Sequence, residues 1–365
     1  VRIGIDARPA LYSRSGIGTY VRELVAALAT TFPGDTIEGY GHRLRRRSTR
    51  LPPPRWPANA RLHDRPWPAT FSAVLARWGF GVDRLLGGVD VLHATDYVAF
   101  PSERTPWVAT IHDVLFETLP ECYTEKMRHG LRFTTAAAVK RARRLIVPCE
   151  RVKRDLVRFF PAEPARVHVV PHGTPRMPPE PPAPSAAVTG RYVLALGTLE
   201  PRKNLVRLLE ALERVREVEG DVRLVVVGAR GWLDEPILAV LAARPWVEHL
   251  GAVGPQELAA LLRGASVLAY PSLGEGFGLP VLESFAAGVP VLVGADTACS
   301  DLAGDAALAV DPRDVEALSA GLLRLLREPP LRAALVERGR AVAAAHTWER
   351  TARLTRAVYE QALKA

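Results

Sequence analysis

Short runs of apolar and β-branched residues alternate with helix-length segments along this chain. The alternation occurs twice, in two blocks separated by a stretch unable to join either. In the first block the runs are Val1–Ala7, Val89–Ala94, Trp107–His112, Arg144–Pro148 and Val167–Pro171, with a weaker one at Thr36–Tyr40. In the second they are Tyr192–Gly197, Arg223–Gly228, Val247–Leu250, Ser266–Tyr270 and Val289–Val293. Buried strands each followed by a helix give a parallel sheet with helices on both faces. Between the blocks lies TPRMPPEPPAPSAAVTG, residues 174–190, whose prolines donate no sheet hydrogen bond and favour an extended connection. The expected fold class is therefore α/β, with two Rossmann-like doubly wound domains. They span 1–173 and 191–346, joined by the 174–190 linker and followed by a closing helix over 347–365 with Thr347 as its N-cap. The segment from His42 to Pro68, rich in Arg and Pro, shows no period and reads as a long loop.

A chain of 365 residues is long enough for two such cores. No apolar run approaches the ~18 residues of a membrane span. The odd count of three cysteines, Cys122, Cys149 and Cys299, with no CxxC pair, indicates neither a disulfide framework nor a metal knuckle and fits a reducing cytoplasm. No charged segment followed by an apolar one opens the sequence, so no signal peptide is expected. The net charge of +9 is compatible with attraction to phosphorylated or lipid partners, or with a simple compositional bias toward arginine. Neither an aromatic RNP pattern nor zinc-finger spacing accompanies it, so no nucleic-acid partner is expected. The basic segment from Thr124 to Arg144, ending in KRARR, either offsets a helix dipole or docks on anionic membrane.

Four stretches carry chemistry. PSLGEGFGLPVLESFAAGVP, residues 271–290, follows a buried strand and puts Pro280 at the first turn of a helix. Its glycines, Gly278 among them, let backbone approach a ligand, and the helix start around Phe277 and Leu279 offers N–H groups to a diphosphate. Glu275 and Glu283 stand eight residues apart, about 12 Å at helical rise, so they serve different parts of one ligand. GTLEPRKN, residues 197–204, places Thr198 and the adjacent cations Arg202 and Lys203 at a strand-to-helix turn, suited to phosphate oxygens.

SGIGTYVREL, residues 15–24, opens a helix with Gly16 and Gly18. About eight residues separate it from the first strand, Val21 fills the third small position, and the second strand ends without an acid, so a nicotinamide dinucleotide site is excluded. His112 and Asp113 end WVATIHD at the carboxyl edge where open sheets bind ligands. His93 is a weaker candidate of the same kind, and His168 with His172 make a poor metal pair. With no Asp-x-Asp sequence to clamp a metal-bound diphosphate, no metal and no cofactor are expected.

The Glu-x7-Glu spacing within GFGLPVLE resembles the family 4 retaining glycosyltransferases of the GT-B fold, and GTLEPRKN is similar to bacterial mannosyltransferase-like members. The resemblance implies transfer of a hexose, with GDP-mannose as first-choice donor, to a glycan or glycoconjugate hydroxyl. It implies that Arg202 and Lys203 hold the pyrophosphate, Glu283 the ribose hydroxyls and Glu275 the donor sugar, while Gly16 and Gly18 touch the donor phosphate. His112 and Asp113 fall on the acceptor side, with His112 close to the donor sugar. Members of the family commonly carry Arg where this chain has Thr198, so one phosphate contact differs. The closing helix is expected to pack on the first domain, as in relatives. A non-catalytic sugar-nucleotide-binding subunit and another sugar-nucleotide enzyme, an epimerase or a phosphorylase, remain as alternatives.

Overall fold

The computed structural model describes residues 1–12, 15–42, 51, 54–65, 81–96, 105–178, 188 and 190–364. It divides into two compact units. Unit 1 comprises Val1–Val114, Lys126–Gly173 and Thr347–Ala365; unit 2 comprises Leu115–Glu125 and Thr174–His346. A first domain drawn continuously over 1–173 thus differs from unit 1 at Leu115–Glu125. The start of the proline-rich connection, 174–178, belongs to unit 2, and 179–187 and 189 lie outside the described residues.

Unit 1 holds a seven-stranded parallel sheet in the order β3-β2-β1-β4-β5-β6-β7. The strands are β1 (Arg2–Asp6), β2 (Thr36–His42), β3 (Ala60–Arg65), β4 (Val91–Ala94), β5 (Trp107–Thr110), β6 (Arg144–Val147) and β7 (Val167–Val169). β3 corrects the expectation of a structureless loop from His42 to Pro68. Alternation of apolar and polar residues is weak in ARLHDR because β3 is an edge strand, and its start is fixed from outside: Asn59 Nδ2 donates to the carbonyls of Ala29 and Asp35, each at 3.0 Å. β5 ends at Thr110, so His112 and Asp113 stand just past the strand, not within it.

Unit 2 holds a six-stranded parallel sheet in the order β10-β9-β8-β11-β12-β13. Its strands are β8 (Tyr192–Leu196), β9 (Arg223–Val227), β10 (Val247–Gly251), β11 (Val267–Tyr270), β12 (Val291–Gly294) and β13 (Leu308–Val310). The core lies between this sheet and helices such as Leu205–Glu219, whose Leu208, Leu209, Leu212 and Val215 meet Val193, Leu224, Val226 and Val267. In each sheet the chain reverses direction beside the first strand of the unit, between β1 and β4 and between β8 and β11. At such a switch point the connections leave in opposite senses and open a crevice past the carboxyl ends of the strands.

Helix Gly16–Thr31 buries Tyr20, Val21, Leu24, Val25 and Leu28, a helical stripe facing the sheet of unit 1. Beside it the closing helix Trp348–Lys364 buries Trp348, Ala352, Thr355, Tyr359 and Ala362 at the same spacing. Thr347 caps this helix, its hydroxyl accepting from the Arg350 N–H at 3.2 Å. The helix is also bound to the unit by polar contacts. Arg356 donates to the Asp35 carboxylate at 2.5 Å, Thr351 to the Pro171 carbonyl at 2.8 Å, and the Tyr359 hydroxyl lies 2.7 Å from His93 Nδ1. His93 Nε2 in turn meets Thr110 Oγ1 at 2.7 Å, which lies 3.1 Å from the Tyr20 hydroxyl. Removing one end of this buried chain strands a ring nitrogen in an apolar interior. Tyr359→Phe is therefore expected to lower stability by about 1–3 kcal/mol, read from urea unfolding, although it deletes a single oxygen.

Candidate functional site

The second switch point gathers the sequence-predicted residues of unit 2. After β8 the chain turns through Gly197, at φ +132°, and Thr198, then through one tight turn, Pro201–Lys203. A side chain at Gly197 would stand 2.8 Å from Lys203 Cε, so the glycine clears the path of the lysine. The turn ends at Asn204, left-handed at φ 60°, whose amide donates to the carbonyls of Pro271 at 3.1 Å and Pro312 at 2.5 Å. These bonds lock the turn after β8 onto the loops after β11 and β13.

Glu275 is the hub of the resulting cluster. One carboxylate oxygen accepts from Lys203 Nζ at 2.6 Å and the other from Arg202 Nη1 at 2.6 Å. Arg202 also reaches Glu200 at 2.6 Å and the Gly274 carbonyl at 3.1 Å, while Lys203 donates to the Tyr270 hydroxyl at 2.7 Å. Lys203 and Glu275 are buried, and Arg202 nearly so. Burial alone pushes the Glu275 carboxyl up, but Arg202 and Lys203 beside it outweigh that and bring it down to about 2. Burial and the Glu275 charge hold the Tyr270 phenol protonated, far above its ordinary range. Two cations therefore stand against two carboxylates, and Arg202 and Lys203 are not bare charges awaiting a ligand.

The loop continues from Glu275 to a helix over Leu279–Ala287, with Gly278 at φ +117° as its cap and Pro280 in the first turn. Phe277 is buried edge-on to His346 at 6.1 Å, and its carbonyl faces Cys299. Pro280 has no N–H, and those of Val281 and Leu282 turn back to the Gly278 carbonyl at 3.0 and 3.4 Å. Among the described residues no backbone acceptor takes the Leu279 N–H, and a helix start of this kind can receive an anion. Glu283, half-buried one turn further on, has its carboxyl pushed by burial from 4.5 up to about 7. Of the loop glycines expected to admit a ligand, Gly274 departs from expectation. A side chain there would meet Leu119 at 2.7 Å and Leu115 at 2.9 Å, so the space is already taken by protein.

In unit 1 the predicted residues form a second constellation at its own switch point. His112 follows β5, and its Nε2 lies 2.8 Å from the Thr95 carbonyl just past β4. A carbonyl only accepts, so Nε2 carries the hydrogen and Nδ1 the lone pair. Burial lowers the imidazole pKa, against the opposing pull of Thr95, Asp96 and Asp113, and the ring is neutral. Asp113 is the next residue along. Tyr20 packs edge-on to His112 at 5.1 Å and against His172 at 4.5 Å; His172 stacks on Trp348 at 6.2 Å. Gly16, exposed, and Gly18, buried, lie in the first turn of the helix that carries Tyr20. His93 is pushed down to about 3 by burial, with both ring nitrogens engaged, and serves as a neutral structural link.

Sequence reasoning missed Glu200, Tyr270 and Asn204. Glu200 and Asn204 sit inside GTLEPRKN and Tyr270 ends the strand before PSLGEG, so adjacency was the available signal. Only the fold reveals that Tyr270 and Lys203 meet. Among the described residues no group of His, Cys, Asp and Glu has the arrangement of a metal site, and no helix is long and apolar enough to cross a membrane.

Comparison with known proteins bears on both units. The sequence model described as Glycosyltransferase Family 4 matches residues 14–176, and that described as Glycosyl transferases group 1 matches residues 179–342. The chain is 31% identical over 318 residues to the MMP alpha-(1->4)-mannosyltransferase of Mycolicibacterium hassiacum, covering 82% of this chain and 76% of that one. It is 31% identical over 255 residues to the O-antigen chain mannosyltransferase B of Escherichia coli, covering 66% and 67%. Among solved structures, a sucrose-phosphate synthase from Thermosynechococcus elongatus superposes with a TM-score of 0.77 at 19% identity, over 99% of this chain and 98% of that one. WaaG, a glycosyltransferase involved in lipopolysaccharide biosynthesis, does so with a TM-score of 0.69 at 19% identity, over 100% and 99%. At such identities these two likenesses speak for the GT-B fold alone.

Proposed function

The chain belongs to the family 4 glycosyltransferases of the GT-B fold, and from that premise we propose that it is a retaining, metal-independent mannosyltransferase. Its donor is GDP-mannose and its acceptor a hydroxyl of a glycan or glycoconjugate. The names of the two mannosyltransferase relatives support the sugar. The observation that carries the reading is the Arg202–Glu275–Lys203 cluster at the switch point of unit 2, with Glu275 two residues before Phe277 and four before the helix start at Leu279.

The cluster suggests how a diphosphate is bound. Phosphate oxygens compete with Glu275 for Lys203 and Arg202, and Leu279 N–H supplies a further donor. Each cation then exchanges a carboxylate for a phosphate, and the released Glu275 turns to the donor sugar. As the bond from sugar to phosphate loosens, charge grows on the leaving phosphate beside preorganised cations, where stabilisation is most effective. Neutral His112, with its Nδ1 lone pair, accepts a hydrogen bond from a sugar or acceptor hydroxyl. Charge neutralisation through Arg202 and Lys203, without an Asp-x-Asp clamp, supports a reaction that needs no metal.

Thermal-shift screening of nucleotide sugars tests the donor, since a ligand of the folded state alone raises its melting temperature; GDP-mannose is expected to give the largest rise. Lys203→Ala is expected to lower transfer at least ~100-fold, the scale on which a preorganised charge donor acts. Near-normal turnover in that variant would exclude the assignment.

Glu283 adds a pH dependence. Its ionised form is disfavoured in the fold, and the cost grows as pH rises from the ordinary 4.5 through about 7. A donor hydroxyl bonded to the carboxylate offsets that cost. The donor KM is therefore expected to fall several-fold between about pH 6 and about pH 8, and Glu283→Gln to flatten the profile.

Peripheral docking on anionic membrane is part of the proposal. It is supported by helix Glu125–Arg141, which bears Lys126, Arg128, Arg132, Lys140 and Arg141 and an almost fully exposed Phe133 (77%). Co-sedimentation with phosphatidylglycerol vesicles is expected and should weaken in Phe133→Ser; equal sedimentation with neutral vesicles would contradict it.

A further inference from the structure

Between β5 and helix Glu125–Arg141 the chain leaves unit 1, contributes Leu115–Glu125 to unit 2, and returns. This strap has its own local order: a short helix at Leu115–Thr118 followed by a tight turn at Pro120–Cys122. The Leu119 N–H donates to the Leu115 carbonyl at 2.7 Å and that of Cys122 to Leu119 at 3.0 Å. Leu115, Leu119 and Cys122 are buried and pack with Tyr123 and Leu273. Trp232 Nε1 donates to the Cys122 carbonyl at 2.7 Å, and its ring stacks on Tyr123 at 5.6 Å.

The strap is seated on the residues that aim Glu275. Leu273 belongs to its apolar cluster, and Gly274 leaves room for Leu119 and Leu115, which a side chain at that position would strike. The same two residues are tied to the cation turn. Leu273 N–H donates to the Arg202 carbonyl at 2.8 Å, and the Gly274 carbonyl accepts from the Arg202 guanidinium. The two residues before the carboxylate are thus held both by Arg202 and by the strap.

We infer that Leu115–Glu125 is a positioning element for Glu275, with Leu119 and Trp232 as its positioning residues, and that sugar transfer requires the strap to be seated. The inference rests on the proposed role of the Arg202–Lys203–Glu275 cluster. It also gives the strap's place in the chain a consequence: Leu115 follows His112 by three residues, so the acceptor-side histidine and the support of Glu275 belong to one short stretch of backbone. The strap acts on the carboxylate that turns to the sugar; Lys203, Leu279 and Glu283 hold the nucleoside diphosphate independently of it, and Arg202, which the strap reaches only through Leu273 and Gly274, is also held in the cation turn by Glu200. Unseating it is therefore expected to lower kcat while affinity for the diphosphate is retained.

The test uses the full chain with Leu119→Ala, Trp232→Phe, and Leu119→Ala combined with Gly274→Ala. Trp232→Phe keeps a ring on Tyr123 and removes the donor to Cys122. Hydrogen exchange across residues 271–278 reads position without any donor; both single variants are expected to raise it in folded protein. With GDP-mannose, kcat is expected to fall roughly tenfold, the scale of a small misplacement of reacting groups, with GDP affinity within about twofold of the parent. The added methyl at position 274 enters space vacated by Leu119 and requires only the tip of Leu115, which would stand 2.9 Å from it, to turn aside, so the double variant is expected to regain part of the lost kcat and protection. Unchanged exchange across 271–278 in both single variants would overturn the inference, as would parental kcat in both while Lys203→Ala is inactive. Parental kcat in Lys203→Ala itself would instead remove the reading of the site on which the inference stands.

Discussion

Two buried carboxylates answer two largely buried cations: Glu275 accepts from Arg202 with one oxygen and from Lys203 with the other, and Glu200 pairs with Arg202. Charges withdrawn from water to this extent persist only when each has partners, and removing one partner costs about 3–5 kcal/mol because the others stay buried and uncompensated. Much of unit 2 serves that condition. Gly197 clears the lysine, Asn204 pins the cation turn to the loop after β11, and the Tyr270 hydroxyl accepts a further hydrogen bond from the lysine. The cost of assembling such a cluster is justified by what can replace the carboxylate. On the proposed reading, a diphosphate presents the same kind of oxygen with more charge and takes the place of the carboxylate.

Unit 1 solves a different problem, with neutral groups. His112 and His93 lose their charge to burial, and each is fixed by hydrogen bonds to a carbonyl or hydroxyls. The Tyr359–His93–Thr110–Tyr20 chain ties the closing helix to the sheet and ends at the ring that packs on His112. A lone-pair nitrogen held rigidly in a neutral ring suits recognition of hydroxyls, whereas the ionic cluster of unit 2 suits phosphate. The two switch points thus carry complementary chemistries on the same sheet architecture.

Much of this was legible in the amino-acid sequence because local patterns dictated it. Continuous apolar strands gave both sheets, Pro280 marked its helix start, and GTLEPRKN and GEGFGLPVLE marked the turns past β8 and β11. The elements that escaped were specified from a distance. β3 is an edge strand whose start is set by Asn59 reaching residues some thirty positions away, and β13 has three residues with little apolar contrast to the alanines around it. Gly274 reads locally as a ligand-admitting glycine, yet its space is filled by leucines from more than 150 residues earlier. Likewise, nothing in the spacing of Glu275 from Lys203 says that they meet; that follows only from β8 and β11 being neighbours.

The central claim is that the donor's diphosphate takes the place of Glu275 on Arg202 and Lys203. A crystal structure with GDP bound decides it most directly. The account predicts phosphate oxygens about 2.7–2.9 Å from Lys203 Nζ and the Arg202 guanidinium, with Glu275 turned away from at least one of them. A diphosphate bound elsewhere, with both Glu275 ion pairs intact, would contradict it.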